Sequence, residues 1–258
     1  MKSRINRYPI HIIPDGFVFT ACSTDINPAY ALTTTIVAYK PDTTSAVVAH
    51  IIKPLHIDQK LNATEYNQRV FDALAEHGRY IKSLGIPING WGIDAGGANF
   101  EAVCLFSREA GHLCGIPAIA LVGRSATKFN GLVRTRLRNE INATVLCGDE
   151  QEHLRTGTGK KYMFWNADLY KERVQRAFLA EVGASGGCSL YQADADEHNE
   201  FAIQLCNERL KGKSRRQDGR DEYCWKTSDP HDYLDTMAMC LAIAGSQGLS
   251  PMNFRAAS

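Results

Sequence analysis

Residues 16–52 have the sequence GFVFTACSTDINPAYALTTTIVAYKPDTTSAVVAHII. Three runs rich in β-branched and aromatic residues occur in this stretch, at 16–24, 31–39 and 45–52. Asn27-Pro28 interrupts the pattern after the first run, and Pro41-Asp42 is typical of a turn before the third. Runs of this kind, separated by turn residues at this spacing, predict an antiparallel meander of three strands.

Helices and strands alternate beyond the predicted meander. Apolar residues at helical spacing predict a helix over 63–84, which Gly85 would end. Strands are predicted at 88–93 and 116–122, with a helix over 98–113 between them. This order predicts an α/β fold with a mixed five-stranded sheet, in which the meander continues into parallel strands flanked by helices.

The second half of the chain has weaker patterns. Residues 123–160 and 211–221 are basic and are expected to be loops or insertions. Short strands are predicted at 161–165, 186–191 and 222–226, and helices at 167–181, 196–210 and 230–246. The last helix has Asp229 as its expected N-cap, followed by Pro230. We expect residues 1–258 to form a single domain.

The composition places the chain among globular proteins. It has 258 residues, a formal net charge of +1, 44% hydrophobic and 22% charged residues, which excludes a disordered chain, a collagen-like repeat and a coiled coil. No apolar run of about 18 residues is present to span a membrane, and the first residues lack the apolar segment of a signal peptide. The eight cysteines have no CxxC spacing and are expected to be reduced thiols, which favours a cytoplasmic protein.

Aspartates lie at the ends of several predicted elements. Asp25 ends the first strand, Asp94 ends the strand of GIDAGG, and Asp235 lies early in the last helix, one turn after Asp232. Any one of them could be an ordinary loop or cap acid. If 88–93 pairs parallel with the first strand, however, Asp25 and Asp94 lie side by side, and a helix crossing the sheet adds Asp235. Converging carboxylates can hold two divalent ions about 4 Å apart for phosphoryl displacement, and this is the arrangement of the ribonuclease-H-like fold.

The GIDAGG segment has a second interpretation. Sugar kinases of the actin-like superfamily hold phosphate with a similar Asp-x-Gly-Gly turn, which usually lies near the N-terminus between two strands of a hairpin. Here a predicted helix follows directly, and no later Gly-rich adenosine-binding motif is evident. Gly96 and Gly97 could instead let the backbone turn sharply into that helix.

Short motifs in a fixed order carry a resemblance over about residues 14–245. They are ACSTDIN with Asp25, IDAGG with Asp94, IALVGRS with Gly123 and Arg124, FWNADLYKERVQRAFL with Asp168 and Lys171, and HDYLDTMAMCLAIA with Asp232 and Asp235. In this order they resemble the nuclease domain of phage terminase large subunits of the lambda-type GpA family. The chain departs from the family pattern at Asn27, where Gln is usual, and at Asp232, where Glu is more usual.

The resemblance implies a metal-dependent endonuclease that cuts concatemeric double-stranded DNA during genome packaging. It implies two Mg²⁺ or Mn²⁺ ions, bridged by Asp25 and held on either side by Asp94 and Asp235. Asp232 is a further candidate catalytic residue, and His231 either positions a water or is a helix-start residue that faces solvent. The implied partners are duplex DNA, a separate terminase ATPase, a small terminase subunit and a portal.

Basic residues are concentrated in the two predicted loops, which could contact DNA phosphates or be ordinary solvated surface. The candidate DNA contacts, including one lysine from the resemblance motifs, are Arg124, Lys128, Arg134, Arg136, Lys171, Lys213, Arg215 and Arg216. The Walker A pattern is absent, because TGTGKKY at 156–162 has Lys161 where Ser or Thr is required. We therefore expect that this chain does not hydrolyse nucleotides. It would be a nuclease domain alone, or the product of a gene split from that of its ATPase motor.

Three functions remain open on the sequence. The first is a terminase-type two-metal endonuclease. The second is another ribonuclease-H-like nuclease, such as a Holliday-junction resolvase or a transposase-like enzyme, which a preference for branched over linear DNA would distinguish. The third is a catalytically inactive module that binds DNA or the packaging machinery. The trio Asp25, Asp94 and Asp235 argues against the third, because an inactive site has no reason to keep converging acids.

Overall fold

The computed structural model describes residues 2–58, 60–128, 143–146, 152–157, 160–217, 219, 221–228, 230–247 and 249, with the backbone alone described for 143–146, 152–157 and 160–161. Three residues of the sequence predictions lie outside the described residues. They are the candidate DNA contacts Arg134 and Arg136 and the expected helix cap Asp229. Within the described residues, no helix is both long enough and apolar enough to cross a membrane.

One large mixed sheet organises the fold. Its ten strands, among the residues described, are β1 (Ile5–Pro9), β2 (Phe19–Asn27), β3 (Ala31–Tyr39), β4 (Ser45–Pro54), β5 (Gly90–Asp94), β6 (Ala118–Arg124), β7 (Ala143–Leu146), β8 (Glu152–Gly157), β9 (Lys160–Asn166) and β10 (Cys188–Gln192). Their order across the sheet is β1-β10-β4-β3-β2-β5-β6-β9-β8-β7.

The five predicted strands form the centre of this sheet. The antiparallel meander β2-β3-β4 is present, with Asp25 opposite Thr33. Strand β5 pairs parallel with β2, placing Ile93 opposite Thr24, and β6 pairs parallel with β5. The predicted combination of a meander with parallel strands is therefore confirmed.

The sheet is wider than the five strands predicted. At one edge β10 pairs parallel with β4, and β1 with β10. At the other edge β9 pairs parallel with β6, and β8 and β7 add antiparallel strands within the region 123–160 that the sequence predicted as irregular. Strands such as β1 (INRYP) and β8 (EHLRTG) are polar, so their sequences lack the apolar pattern that marks a central strand.

Helices cover both faces of the sheet. The α-helices that the structure describes from end to end are α1 (Ala63–Ser83), α2 (Phe100–Cys114), α3 (Ala167–Leu179), α4 (Asn199–Asn207) and α5 (Asp232–Ser246). Helix α1 starts in a capping box, in which the Asn62 side chain accepts the backbone N–H of Glu65 while Glu65 bonds back to Asn62. Helices α1 and α2 share a core with Trp91 on one face, and α3, α4 and α5 build the core on the other.

Helix α5 is the central element of the second layer. Every residue from Tyr233 to Gly245 is buried except Asp235. The helix lies directly against β5, because a Cβ added at Gly92 would come within 2.5 Å of the Ile243 side chain. Asp235 is therefore the one residue of this buried stretch whose side chain is left partly accessible, at the start of the helix.

The predicted start of this last helix is wrong by two residues. The helix begins at Asp232, with His231 as its N-cap. Pro230 precedes it, and the Asn207 side-chain amide donates to the Pro230 carbonyl at 2.7 Å. The proline carbonyl is thus bonded to another element, which keeps this residue out of the first turn.

A two-stranded hairpin replaces much of the second predicted loop. It consists of β11 (Glu208–Arg215) and β12 (Asp221–Thr227), which pair antiparallel with a bulge between Leu210 and Gly212. The predicted helix 196–210 accordingly ends at Asn207. The strand predicted at 222–226 lies within β12 (Asp221–Thr227). Strand β11 was not predicted, because most of its side chains are polar and exposed and leave no alternating apolar face.

Candidate active site

Two aspartates come together through the parallel pairing of β2 and β5. Asp25 lies near the carboxyl end of β2, and Asp94 is the last residue of β5. Because Thr24 is opposite Ile93, the next residue on each strand is one of these aspartates. Helix α5 crosses the same end of the sheet and adds Asp235 from its first turn. All three line one cleft of about 270 Å³, so the structure brings the predicted trio together.

The rest of the cleft comes from the ends of β6 and β9. Gly123, Arg124 and Ser125 follow the buried part of β6, and Trp165 and Ala167 lie at the junction of β9 and α3. The backbone N–H of Gly96 donates to Asp94 Oδ2 at 3.1 Å, which fixes the orientation of this carboxylate.

Burial and neighbouring carboxylates raise the pKa values of Asp25 and Asp94. Burial is the main cause of a pKa of Asp25 well above its ordinary value, and the charges that add to it are, in decreasing order, Asp94, Asp235 and Asp232. Burial, with a smaller contribution from the charge of Asp235, raises the pKa of Asp94 to about 6. The surroundings therefore disfavour the ionised forms of Asp25 and Asp94.

Lys171 supplies positive charge inside this site. Its Nζ lies 2.6 Å from Asp235 Oδ1 and 2.6 Å from Glu208 Oε2, and its side chain is only 11% exposed. Burial lowers the pKa of Lys171, but the two carboxylates outweigh burial and raise it, so the ammonium stays charged. The sequence analysis named Lys171, from the resemblance motifs, as a candidate DNA contact, and the structure places its ammonium between the carboxylates of Asp235 and Glu208.

Asp235 has a second neighbour on its other oxygen. His231 Nε2 lies 3.6 Å from Asp235 Oδ2, one helical turn away. Ligand atoms of Glu208, His231 and Asp235 all lie within 4.8 Å of one another, a spacing that could hold a metal ion. Asp232 lies on the same helix turn, where the Thr33 hydroxyl donates to its Oδ2 at 3.4 Å.

Buried hydroxyls hold α5 against the strands that carry this site. The hydroxyls of Thr35 and Thr236 lie 2.7 Å apart. The Ser23 hydroxyl donates to the Thr236 carbonyl, and its Oγ lies 3.1 Å from the Cys240 sulfur. These contacts join β2 and β3 to the first turns of α5, so they fix where Asp235 projects.

Comparison with known proteins decides the family. The family described as "Terminase large subunit gpA, endonuclease domain" matches residues 1–254. The chain belongs to this family. No curated protein sequence matches the chain.

Several solved structures are similar to this chain. The nuclease domain of the large terminase subunit gp2 of bacterial virus Sf6 is 11% identical, with a TM-score of 0.50 over 88% of this chain and 89% of that chain. A mutant of that domain with manganese and beta-thujaplicinol is also 11% identical, with a TM-score of 0.49 and the same coverage. RuvC of Thermus thermophilus is 11% identical, with a TM-score of 0.35 over 89% of this chain and 95% of that chain. The likeness to the Sf6 domain shows a shared fold, and the predicted ribonuclease-H-like architecture is confirmed.

The predicted DNA contacts of the terminase nuclease domain lie in different environments. Arg124 is exposed at the cleft, with its guanidinium 5.3 Å from the centre of the Phe164 ring. Lys128 is exposed after β6, and Arg215 is exposed on the hairpin. Arg216 lies 3.5 Å from Glu222.

Lys213 is exposed on the hairpin and lies between two carboxylates. Its Nζ lies 3.2 Å from Asp221 and 3.6 Å from Glu172. Arg134 and Arg136 lie outside the described residues.

Glu208 is the site residue that the sequence did not indicate. It is the first residue of β11, directly after α4, and its side chain is 9% exposed. No motif marks it, and only the approach of the hairpin to α3 places it beside Lys171.

Proposed function

We propose that this terminase endonuclease domain hydrolyses double-stranded DNA with two divalent ions, Mg²⁺ or Mn²⁺, held by Asp25, Asp94 and Asp235. The observation that carries the proposal is the convergence of these side chains, from two parallel strands and a buried helix, on one cleft. Carboxylate oxygens are the ligands that such ions prefer.

The electrostatics of the cleft fit a bound cation. The pKa values of Asp25 and Asp94 are raised by burial and by neighbouring carboxylates. A divalent cation would relieve this repulsion and favour the ionised forms. Asp25 feels the charges of both Asp94 and Asp235, which supports it as the carboxylate shared between two ions.

The side chains around the trio orient it. When bound, the ions would lower the pKa of an attacking water and stabilise the leaving oxygen. Lys171 contacts one oxygen of Asp235 and His231 lies near the other, so this carboxylate is restrained at both ends. Asp232 lies close enough to affect the pKa of Asp25, and we assign it a role in positioning water.

Basic side chains around the cleft would hold the DNA. Arg124 lines the cleft, which supports it as a contact to the phosphate being cut. Lys128, Lys213, Arg215 and Arg216 are proposed to contact flanking phosphates. We propose that residues 1–258 act as one nuclease domain beside a terminase ATPase, a small subunit and a portal in the host cytoplasm.

Plasmid cleavage tests this proposal. Wild-type protein is incubated with supercoiled plasmid in Mg²⁺, Mn²⁺ or EDTA, beside Asp94→Asn and the control Asp72→Asn, which changes an exposed aspartate of α1. We expect cleavage that requires metal in wild type and control, and none in Asp94→Asn. Absence of metal-dependent cleavage, or full activity in Asp94→Asn, would overturn the proposal.

Cleavage of other DNA substrates and a DNA-binding measurement separate the alternatives. Preferential cutting of a four-way junction over linear duplex would indicate a resolvase-like enzyme instead. DNA binding without cleavage in either metal would indicate an inactive module.

A further inference from the structure

Asp168 joins two parts of the molecule that are distant in sequence. It lies in the first turn of α3. Its Oδ2 accepts the backbone N–H of Ala126 at 2.7 Å, and its Oδ1 accepts the indole N–H of Trp225 at 2.9 Å. One carboxylate therefore contacts the segment after β6 and the strand β12 at the same time.

The Ala126 end of this link controls the edge of the cleft. Ala126 is buried and directly follows residues 123–125, which we call the rim segment and which line the cleft. Residues 126–128 are helical, so the Ala126 N–H belongs to a first turn, where backbone donors lack partners within the helix. The Asp168 carboxylate satisfies this donor and thereby fixes where the rim segment, with Arg124, lies.

The Trp225 end of the link holds the hairpin of β11 and β12. The Gln175 side chain donates to the Glu208 carbonyl at 2.6 Å, and the Lys213 ammonium lies 3.6 Å from Glu172. These contacts bring β11 to α3, and Trp225 brings β12 to it. The hairpin is rich in cationic residues, which are Arg209, Lys211, Lys213, Arg215 and Lys226, with Arg216 in the turn.

We propose that Asp168 is a positioning residue that fixes the basic hairpin relative to the rim segment, so that both contact one DNA duplex together. Asp168 is not among the residues that line the cleft, so it acts through Ala126 and Trp225 rather than on the reacting phosphate. This inference rests on the proposed function, and it adds a determinant of DNA binding to it.

The link can be broken at Asp168 or at Trp225. Asp168→Asn has one acceptor oxygen for two N–H donors, so one of the two hydrogen bonds at Asp168 is lost. Trp225→Phe keeps a ring but removes the N–H, so the hairpin end is lost. Because either change uncouples the hairpin from the rim segment, the double variant should be no worse than the single variants.

Steady-state cleavage and DNA affinity provide the readouts. We expect each variant to raise the KM for a linear duplex about tenfold, as for loss of one charge-assisted hydrogen bond, with kcat within about twofold of wild type. We also expect the slope of log affinity against log salt, measured in EDTA, to fall by about 0.9 for each phosphate that the protein no longer neutralises. A merely structural role would not change this slope, and Asp72→Asn should behave as wild type.

Several results would contradict the inference. One is that either single variant keeps the KM and the salt slope of the wild type. Another is that kcat falls while KM stays constant. The third is that the effects of the two substitutions add in the double variant. If Asp168→Asn does not unfold cooperatively, Trp225→Phe decides by the same criteria. If the wild type fails to cleave, the proposed function is overturned, while the affinity and slope in EDTA still test the role of Asp168.

Discussion

Replacing Asp94 with asparagine should stabilise the metal-free domain at neutral pH. Burial and the charge of Asp235 raise the pKa of Asp94 from an ordinary 3.8 to about 6. The folded state therefore binds this proton more tightly than the unfolded chain does. Stability is lost as the pH rises from about 4 to about 6, and the loss is complete above that range.

The size of the effect follows from the change in pKa. At about 1.4 kcal/mol for each tenfold change in the ionisation constant, the ionised carboxylate costs the fold about 3 kcal/mol at neutral pH. Asparagine carries no charge and retains an oxygen that can accept the Gly96 N–H. In a chain of this length, about 3 kcal/mol corresponds to a rise in Tm of about 6–12 °C.

Thermal unfolding by circular dichroism in EDTA checks this expectation. We expect Asp94→Asn to melt above wild type at about pH 7.5 and nearly equally with it at about pH 3, which lies below the pKa of the carboxyl in both the folded and the unfolded state. Asp72→Asn, at an exposed position, should match wild type at both values. An Asp94→Asn Tm equal to or below wild type at about pH 7.5, or the same difference at both pH values, would refute the electrostatic reasoning.

Other substitutions test the supports of the site by urea unfolding. Lys171→Met leaves the buried Glu208 carboxylate and the partly accessible Asp235 carboxylate without their cation and should destabilise the fold by about 3 kcal/mol. An unchanged midpoint would show that the ion pairs contribute nothing. Thr236→Val removes the hydroxyl partner of Thr35 and should lower the free energy of unfolding by about 1–3 kcal/mol. Plasmid cleavage should also be slower, because Asp235 shifts. Wild-type stability and a wild-type cleavage rate would contradict this expectation. Gly92→Ala should lower the free energy of unfolding by about 1–3 kcal/mol, because the added methyl group crowds α5. Gly111→Ala, whose added Cβ meets nothing within 4 Å, should instead stabilise helix α2 by about 1 kcal/mol. Equal effects of the two substitutions would argue against close packing at β5.

The centre of the fold could be predicted because its signals are local. The meander strands β2, β3 and β4 are apolar runs separated by turn residues, and β5 is a short apolar segment that ends at Asp94. The strands β1 and β8 escaped prediction, since their sequences are polar and their pairing partners make them strands.

The site was predictable only in part, for the same reason. Parallel pairing of two strands places Asp25 beside Asp94 whatever their neighbours are. The partners of a charged side chain depend on elements that meet only in the folded chain. Lys171 was expected to contact DNA, but α3 turns it toward Asp235 and Glu208.

The sequence by itself determined the α/β order, the meander and the three aspartates, because periodicity and strand ends are properties of neighbouring residues. Only the tertiary structure decided that Glu208 closes an ion pair with Lys171, and that Asp168 links the cleft to the hairpin. These contacts join residues 37, 42 and 57 positions apart. Charge and hydrogen bonding act over a few ångströms in space, and spacing along the chain does not reveal which side chains come within that range.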